Sequence, residues 1–289
     1  MVLLSMVFWG MSYIWSKIVF EYLSPGQTIF YRLIISVITL AILLTVTRSW
    51  QAIQTKHYPL FLISSLLNPF LYFIGESYGL QLVTPTVSAV MIATIPVFTP
   101  LFAFFIFNER LKVVNIIGLF FSLFGIIIIL LVNDTKNQSV SITGILFLFG
   151  AVAAAVGHGM FLKKLTEFYK PIMIISLQNF IGIAYFLPFA FLFKDSQSTH
   201  IQPDIRLYTN LILLGVFASS LAFVFYTKSV QVFGISKSSL FANLIPVFTA
   251  IFSYYILKDQ ITTQKLIGMG LVIIGVILSE YNGMKTIEN

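Results

Sequence analysis

The sequence predicts an all-α polytopic membrane protein with ten transmembrane helices, arranged as two inverted five-helix repeats. Three observations predict it: the composition, the number of apolar stretches and an internal duplication. Of the 289 residues, 58% are hydrophobic and only 9% are charged, and the mean hydropathy is +0.96. Soluble domains carry roughly 25% charged residues. With so few charges this chain cannot cover a water-facing surface, so most of its surface is expected to face lipid.

Ten apolar stretches are long enough to cross a membrane. A bilayer core of about 30 Å needs about 20 apolar residues in a helix. The predicted spans are 2–20, 27–47, 59–80, 86–107, 112–132, 141–162, 171–193, 207–227, 237–257 and 264–281. Turn-like breaks separate several of them, at Ser24-Pro25-Gly26, Thr84-Pro85, Asn133-Asp134, residues 194–203 and Gly234. The links are too short for a soluble domain, so we expect two halves, 1–133 and 140–281, and a cytoplasmic tail, 282–289.

The two halves carry a duplication. The pentapeptide Ile-Pro-Val-Phe-Thr occurs at 95–99 and again at 245–249, an offset of 150. Further identities keep that offset without insertion between Leu71/Leu221 and Gly125/Gly275: Gln81/Gln231, Ser88/Ser238, Phe102/Phe252, Ile106/Ile256 and Gly118/Gly268. A helix-sized run of matches in one ungapped register is typical of an internal repeat.

The basic residues predict the orientation, because cytoplasmic links of membrane proteins are enriched in Lys and Arg. With the N-terminus inside, ten basic residues fall in cytoplasmic links and five outside. The inside set is Arg48, Lys56, Arg110, Lys112, Lys163, Lys164, Lys170, Lys228, Lys237 and Lys285, and the outside set is Lys136, Lys194, Arg206, Lys258 and Lys265. Both termini are therefore expected in the cytoplasm. Because five is odd, the halves must insert upside down relative to each other, a construction typical of secondary transporters.

Several short motifs, taken with the duplication, resemble the drug/metabolite transporter superfamily, specifically the EamA type. They are Trp9-Gly10 followed by Lys17, then Pro25 and Arg32, and in each half an Ile-Pro-Val-Phe core, a closing acid (Glu109, Asp259) and a Gly…Gly helix. The resemblance covers essentially the whole chain. It implies a small-molecule transporter, often an exporter of amino acids or related metabolites. It also implies about one more turn before Trp9. Since Met1 runs into apolar sequence without a basic region, either the first helix is the insertion signal or the start lies upstream.

Three ionisable residues are predicted to share one depth in the outer third of the membrane: Lys17, Arg32 and Glu76. A charge at mid-bilayer costs from ~2.5 to over 10 kcal/mol, so each needs a reason. One hypothesis is that Glu76 is a proton- or cation-responsive gate beside the two cations. The alternatives are a static ion pair that fixes the packing of spans one to three, or an interfacial residue that faces water.

Polar and aromatic side chains recur at helical spacing inside several spans and are candidates for a substrate cavity. They are Trp9, Ser12, Tyr13, Asn68, Tyr72, His158, Gln178, Tyr226 and Asn243. The cavity is expected between spans one, three and four and spans six, eight and nine. For His158 the alternative is a neutral histidine bonded to a neighbouring backbone, and for the buried amides it is helix–helix contact. Pro96 and Pro246 are the predicted helix hinges, since a proline frees a backbone carbonyl one turn earlier.

The sequence lacks a Walker motif, the common hydrolase motifs and cysteine, and it suggests no cofactor, metal site or nucleic-acid partner. We therefore predict a secondary active transporter of a small polar or amphipathic metabolite in a bacterial inner membrane, with export as the expected direction. The alternatives are an intramembrane enzyme, which needs a nucleophile–base pair at one depth, and a scaffold or sensor that transports nothing. The substrate, the coupling ion and the oligomeric state stay open.

Overall fold

The computed structural model describes residues 1–98, 113–131, 141–192, 202–234, 238, 241–258 and 262–280. Within these ranges the chain is helical and contains no strand. The helices are α1 Val2–Val19, α2 Pro25–Val46, α3 Thr55–Leu82, α4 Pro85–Phe98, α5 Val113–Leu131, α6 Ile142–Thr166, α7 Pro171–Leu192, α8 Ile205–Phe233, α9 Ile245–Leu257 and α10 Thr263–Glu280.

Six of these helices, α1, α2, α3, α6, α7 and α8, are long and apolar enough to cross a membrane. Shorter apolar helices lie within the described parts of α4, α5, α9 and α10. The chain is therefore an all-helical, multi-pass membrane protein, as its composition predicts. Ten crossings and an inverted arrangement remain predictions.

Two of the predicted breaks, Ser24-Pro25-Gly26 and Thr84-Pro85, coincide with helix starts, because their side chains satisfy free backbone amides. Gly234 follows the end of α8, and Asn133-Asp134 lies outside the described residues. Ser24 and Gln27 form a capping box. The Ser24 hydroxyl accepts from the backbone N–H of Gln27 at 3.3 Å, and the side-chain Oε1 of Gln27 accepts from the backbone N–H of Ser24 at 3.2 Å. Pro25 follows at the first helical position, where its missing N–H costs nothing. Thr84, Ser141 and Asp204 cap α4, α6 and α8 in the same way.

Both third helices, α3 and α8, widen into a π-turn at matching places. In α3 the wide turn covers Leu66–Leu71 and contains Pro69, next to Asn68 with non-helical φ −144° and ψ 118°. In α8 the wide turn covers Leu214–Leu221, which overlaps the α3 turn at the offset of 150. Pro69 explains the α3 break, because proline has no N–H to donate to the preceding turn; α8 has no proline there.

The main helix pairings cross between the two halves. In the first half, α1 packs on α8 and α9, and α2 packs on α7 and α8. In the second, α6 packs on α3 and α4, and α7 packs on α2 and α3. Helix α4 also packs on α9, and α5 packs on α10. Exchanging α1–α5 with α6–α10 leaves this set of pairings unchanged.

Glycines permit the closest of these approaches. A Cβ added at Gly125 would lie 2.6 Å from the carbonyl oxygen of Gly268, so α5 and α10 meet backbone to backbone. Both glycines belong to the duplicated positions. At the α3–α6 contact, a Cβ at Gly75 would lie 2.5 Å from the Phe147 carbonyl oxygen. Small residues are the usual means of close helix packing in membranes, where the hydrophobic effect does not drive association.

Candidate functional site

A buried carboxylate lies where α1 and α3 meet. Glu76 is 8% exposed, and its Oε1 accepts a hydrogen bond from the Tyr72 hydroxyl at 2.8 Å. The spacing of four residues places Tyr72 one helical turn before Glu76, on the same face of α3. The Tyr13 hydroxyl of α1 also hydrogen-bonds with the Glu76 carboxylate. Three of the predicted residues thus form one cluster, in which two tyrosines solvate one acid.

Arg32 of α2 lies beside this cluster and reaches across to the second half. It is 3% exposed, and its Nε donates to the Ser219 hydroxyl of α8 at 2.7 Å. Its guanidinium carbon lies 4.3 Å from the centre of the Phe73 ring, a cation–π contact. Among the described residues its two terminal nitrogens have no hydrogen-bond partner. These two nitrogens are not fully enclosed by protein atoms. The outer edge of the guanidinium therefore borders accessible space.

Among the described residues, Arg32 and Glu76 interact electrostatically but form no ion pair at contact distance. Within the described part of the chain no cation lies within 4.0 Å of the Glu76 carboxylate, whose partners are the two tyrosines. Its burial also contradicts the interfacial alternative. Lys17 lies one turn beyond Tyr13 along α1, where its Nζ donates to the Gln81 carbonyl at 3.3 Å. The three residues predicted at one depth are therefore not all together. Arg32 and Glu76 share the cluster, and Lys17 lies nearer the end of α1.

A network of neutral polar groups surrounds Ser219, the hydrogen-bond acceptor of Arg32. The Asn179 amide of α7 donates to the Ser36 hydroxyl of α2 at 2.8 Å and to the Ser219 carbonyl at 3.0 Å. The Ser36 and Ser220 hydroxyls are 2.7 Å apart. Sequence reasoning did not select Ser36, Ser219 or Ser220. The only sequence signal was the adjacent Ser219-Ser220 pair, which lies in the wide turn of α8.

Aromatic side chains form the side of the cluster toward α8. The Trp9 ring lies 5.0 Å from Phe223 and 5.2 Å from Tyr226, centre to centre, and its Nε1 donates to the Ala218 carbonyl at 3.3 Å. Phe73 lies 6.1 Å from Phe223 and connects this wall to Arg32. Ser12, by contrast, donates to the Trp9 carbonyl at 2.7 Å within its own helix.

A second polar group lies between α3, α6 and α7. The Gln178 amide nitrogen donates to the Ser64 hydroxyl at 2.6 Å and lies 3.2 Å from Nε2 of His158. Nε2 of His158 therefore has a side-chain amide within hydrogen-bond distance, and the backbone partner stays an untested alternative. His158, Gln178 and Asn68 are all buried, at 6%, 2% and 8% exposure. These three predicted residues belong to a separate group from the Arg32 cluster.

The two predicted hinges lie at equivalent places. Helix α4 is interrupted at Ala93 and Thr94, just before Pro96, and a short 3₁₀ turn at Phe241–Leu244 precedes Pro246. Hinge motion itself remains a prediction. The side chain of Asn243 lies outside the described residues, as do Glu109 and Asp259.

An apolar groove of about 670 Å³ opens between α3 and α6, away from the polar cluster. Its lining is hydrophobic except for Thr143, and it contains none of the predicted cavity residues. It exists because Gly75, Gly150 and Ala153 offer little side chain there. A polar solute gains nothing from such a wall, so we assign the groove no part in transport.

Comparisons with known proteins agree with this architecture. The model of the EamA-like transporter family matches residues 1–131 and again 142–281. The uncharacterized transporters YetK and YoaV of Bacillus subtilis strain 168 are 27% and 25% identical. The YetK match covers 86% of this chain and 75% of YetK, and the YoaV match covers 94% and 93%. An uncharacterized transporter of Archaeoglobus fulgidus is 22% identical over 94% of this chain and 95% of its own length.

A solved crystal structure superposes with a TM-score of 0.64 over 95% of this chain and 97% of that chain. At 14% identity it shows the fold alone. The family and the named relatives point to a transporter rather than an enzyme. Because the family model covers nearly the whole length in two consecutive matches, this chain belongs to the EamA-like transporter family.

Proposed function

We propose that this chain is a secondary active transporter that exports a small polar or amphipathic metabolite, such as an amino acid, by alternating access. In this proposal ten helices cross a bacterial inner membrane as two inverted five-helix repeats, 1–133 and 140–281. Both termini and the tail, 282–289, lie in the cytoplasm. The substrate crosses between the repeats, and the proton gradient or the substrate's own gradient drives it.

The observation that carries the proposal is the buried, incompletely paired Arg32. A membrane-embedded charge is costly, and a charge kept only for structure is normally neutralised by an ion pair or by a full set of hydrogen bonds. Among the described residues Arg32 has one hydrogen bond, to Ser219, and one ring contact, to Phe73, and it interacts electrostatically with Glu76 without direct contact. A scaffold gains nothing from leaving the remaining donors unused, whereas a transporter uses them for its substrate.

The chemistry of the cluster favours a substrate with a carboxylate. The planar edge of a guanidinium fits a carboxylate through two parallel charge-assisted hydrogen bonds. Nearby Glu76, held by Tyr13 and Tyr72, supplies a negative charge on the other side, which favours an amino group on the same substrate. The aromatic wall of Trp9, Phe223 and Tyr226 offers an apolar surface to a side chain.

The symmetric helix pairing supports the two-state part of the proposal. Inverted repeats interconvert two open states because each half can adopt the conformation of the other. Here each main cross-half pairing has its counterpart when the halves are exchanged. The wide turns in α3 and α8 and the interruptions before Pro96 and Pro246 are likewise paired.

Transport measured in proteoliposomes tests the role of Glu76. Candidate substrates come from a thermal-shift screen of the purified protein against a metabolite library, since a ligand that binds the folded state raises its melting temperature. We expect Glu76→Gln to change the pH dependence of transport, because it removes the titratable group and keeps the shape. Glu167→Gln, in an exposed position after α6, is the matched control. An identical pH profile for Glu76→Gln and the wild type contradicts the hypothesis that Glu76 is a proton-responsive gate.

A further inference from the structure

A tyrosine in the short link between α1 and α2 contacts the second half. Tyr22 is 9% exposed and shares a buried cluster with Leu207 and Leu211 of α8, and its hydroxyl interacts with the Asp204 carboxylate. Asp204 is the N-cap of α8, where it also accepts from the amides of Arg206 at 2.8 Å and Leu207 at 3.3 Å. The link of the first half is therefore attached to the start of the third helix of the second half.

A second tyrosine makes the corresponding contact with the halves exchanged. Tyr169 lies in the link between α6 and α7 and is 5% exposed. Its hydroxyl oxygen lies 2.8 Å from Nδ1 of His57 and accepts from the backbone N–H of Gln54 at 3.1 Å. His57 immediately precedes the α-helical part of α3, which begins at Tyr58. The link of the second half is thus attached to the start of the third helix of the first half.

The two tyrosine contacts lie at opposite ends of α2. Tyr22 precedes Pro25, where α2 begins, and the segment that holds His57 follows Val46, where it ends. Helix α2 has 22 residues, which at 1.5 Å per residue is about 33 Å, close to the thickness of a bilayer core. Each contact joins the two halves, one near each membrane surface.

We propose that the Tyr22–Asp204 and Tyr169–His57 contacts are the two closures of the transport path, one at each mouth, which break alternately during transport. The inference depends on the proposed alternating access. Both contacts are intact in the present structure. Opening one mouth separates a link of one half from a helix start of the other half, which the tyrosine at that mouth joins.

Within the described ranges, the Tyr169 mouth carries more polar contacts than the Tyr22 mouth. The neighbouring Lys170 amide donates to Gln51 Oε1 at 2.6 Å, and the His57 ring lies 4.5 Å from the Phe168 ring. Among the described residues the polar part of the Tyr22 contact is its hydroxyl against a charged acceptor, a stronger single bond than one between neutral groups, and apolar packing on α8 accompanies it. Removing the Tyr22 hydroxyl is therefore expected to shift the equilibrium more than removing the Tyr169 hydroxyl.

Because the chain has no cysteine, one introduced cysteine is a unique reporter. Ser219→Cys places it beside Arg32, and Ser12→Cys on α1 is a second reporter if the first disturbs folding. A membrane-impermeant maleimide is applied to right-side-out and to inside-out vesicles. The variants are Tyr22→Phe and Tyr169→Phe. Tyr185→Phe is the control, because its hydroxyl also joins the halves, donating to the Leu62 carbonyl at 3.3 Å, but away from either link.

We expect Tyr22→Phe to raise the labelling rate from the Tyr22 side and lower it from the other side, by about three- to tenfold, the effect of one hydrogen bond. Tyr169→Phe should do the reverse by a smaller factor, and Tyr185→Phe should change neither. Measurable labelling that is equal in wild type and both variants, or shifts in the same direction, overturns the inference alone. A reporter that is reached from neither side in any variant overturns the proposed function, and the inference with it.

Discussion

Gly75 offers a direct test of the contact between α3 and α6, because the structure leaves no room for a side chain there. A Cβ at this position would lie 2.5 Å from the Phe147 carbonyl oxygen, 2.7 Å from the Ala151 amide nitrogen and 3.0 Å from the Ala151 Cβ. Ordinary contact begins near 3.4 Å. Gly75→Ala therefore requires the two backbones to separate by nearly 1 Å, and both clashing atoms of Phe147 and Ala151 are main chain and cannot turn away.

The expected magnitude is the difference between two terms. Overpacking of a closely packed contact typically costs about 1–3 kcal/mol. Replacing glycine by alanine inside a helix returns roughly 0.5–1 kcal/mol of backbone entropy. Gly75→Ala should therefore lower the unfolding free energy by up to about 2.5 kcal/mol. Because Glu76 is the next residue, the displacement of α3 should also weaken the hydrogen bond from Tyr13 and reduce transport.

Gly150→Ala is the matched control. Gly150 lies on α6, in the groove beside the same contact, and a Cβ there has no atom within 4 Å. The entropy term is the same and the clash is absent, so this variant should be neutral or slightly more stable. Both variants and the wild type are purified in detergent, and their melting temperatures are compared. Their transport rates are compared in proteoliposomes. Equal melting temperatures for the two variants would refute the described packing of α3 on α6.

Three further outcomes are expected. Arg32→Lys should lower kcat/KM by about tenfold or more, because a lysine keeps the charge but loses the planar donor edge and the Nε bond to Ser219; transport kinetics measure it. Gly125→Ala should destabilise the α5–α10 pair, since the added Cβ meets the Gly268 carbonyl, and a melting curve measures the loss. Asp204→Asn should lower the pKa of Tyr22, and NMR of ¹³Cζ-tyrosine, assigned with Tyr22→Phe, follows that pKa.

The sign of the Tyr22 prediction follows from its surroundings. Desolvation and the hydrogen bond to the Asp204 carboxylate raise the pKa of Tyr22 above its ordinary 10.0. Desolvation alone would raise the pKa of Asp204, but hydrogen bonds from Tyr22 and from the amides of Arg206 and Leu207 outweigh it and lower that pKa. The contact is therefore lost only as pH rises past the raised tyrosine pKa, or falls past the lowered aspartate pKa, and it persists throughout the neutral range.

The helices could be predicted from the sequence because their signals are local. Span length depends on composition over about 20 residues, and helix starts depend on caps such as Ser24 with Gln27, a few residues apart. The wide turn at Pro69 has a local cause as well, yet we did not predict it. The corresponding wide turn in α8 contains no proline, so the sequence carries no comparable signal for that turn.

The membership of the polar cluster could be predicted only in part, because it depends on how helices cross. Counting residues from span ends placed Lys17, Arg32 and Glu76 at one depth, an error of one turn for Lys17. Side chains at the same depth can also face different neighbours. Ser219 contacts Arg32 only because α2 packs on α8, which a count along the chain cannot show.

The two halves are alike in packing and unlike in chemistry, which bears on how such a protein works. Lys17 of α1 donates to the Gln81 carbonyl of α3. In the second half the side chain of Gln231, the duplicate of Gln81, donates to the Thr166 carbonyl of α6, so corresponding helices are joined through different atoms. Aligning the helix-opening Pro25 and Pro171 places Arg32 opposite the neutral Gln178.

Interconversion of two open states requires only that the backbone pairings be symmetric, and they are. Substrate recognition has no such requirement in the proposed mechanism, because a single site between the halves would serve both states. Charge can therefore be concentrated in one half, where Arg32 and Glu76 lie, while the matching positions of the other half supply neutral hydrogen bonds. In this arrangement a substitution at Arg32 should change which solute is carried, whereas one at a cross-half glycine should change how readily the states exchange.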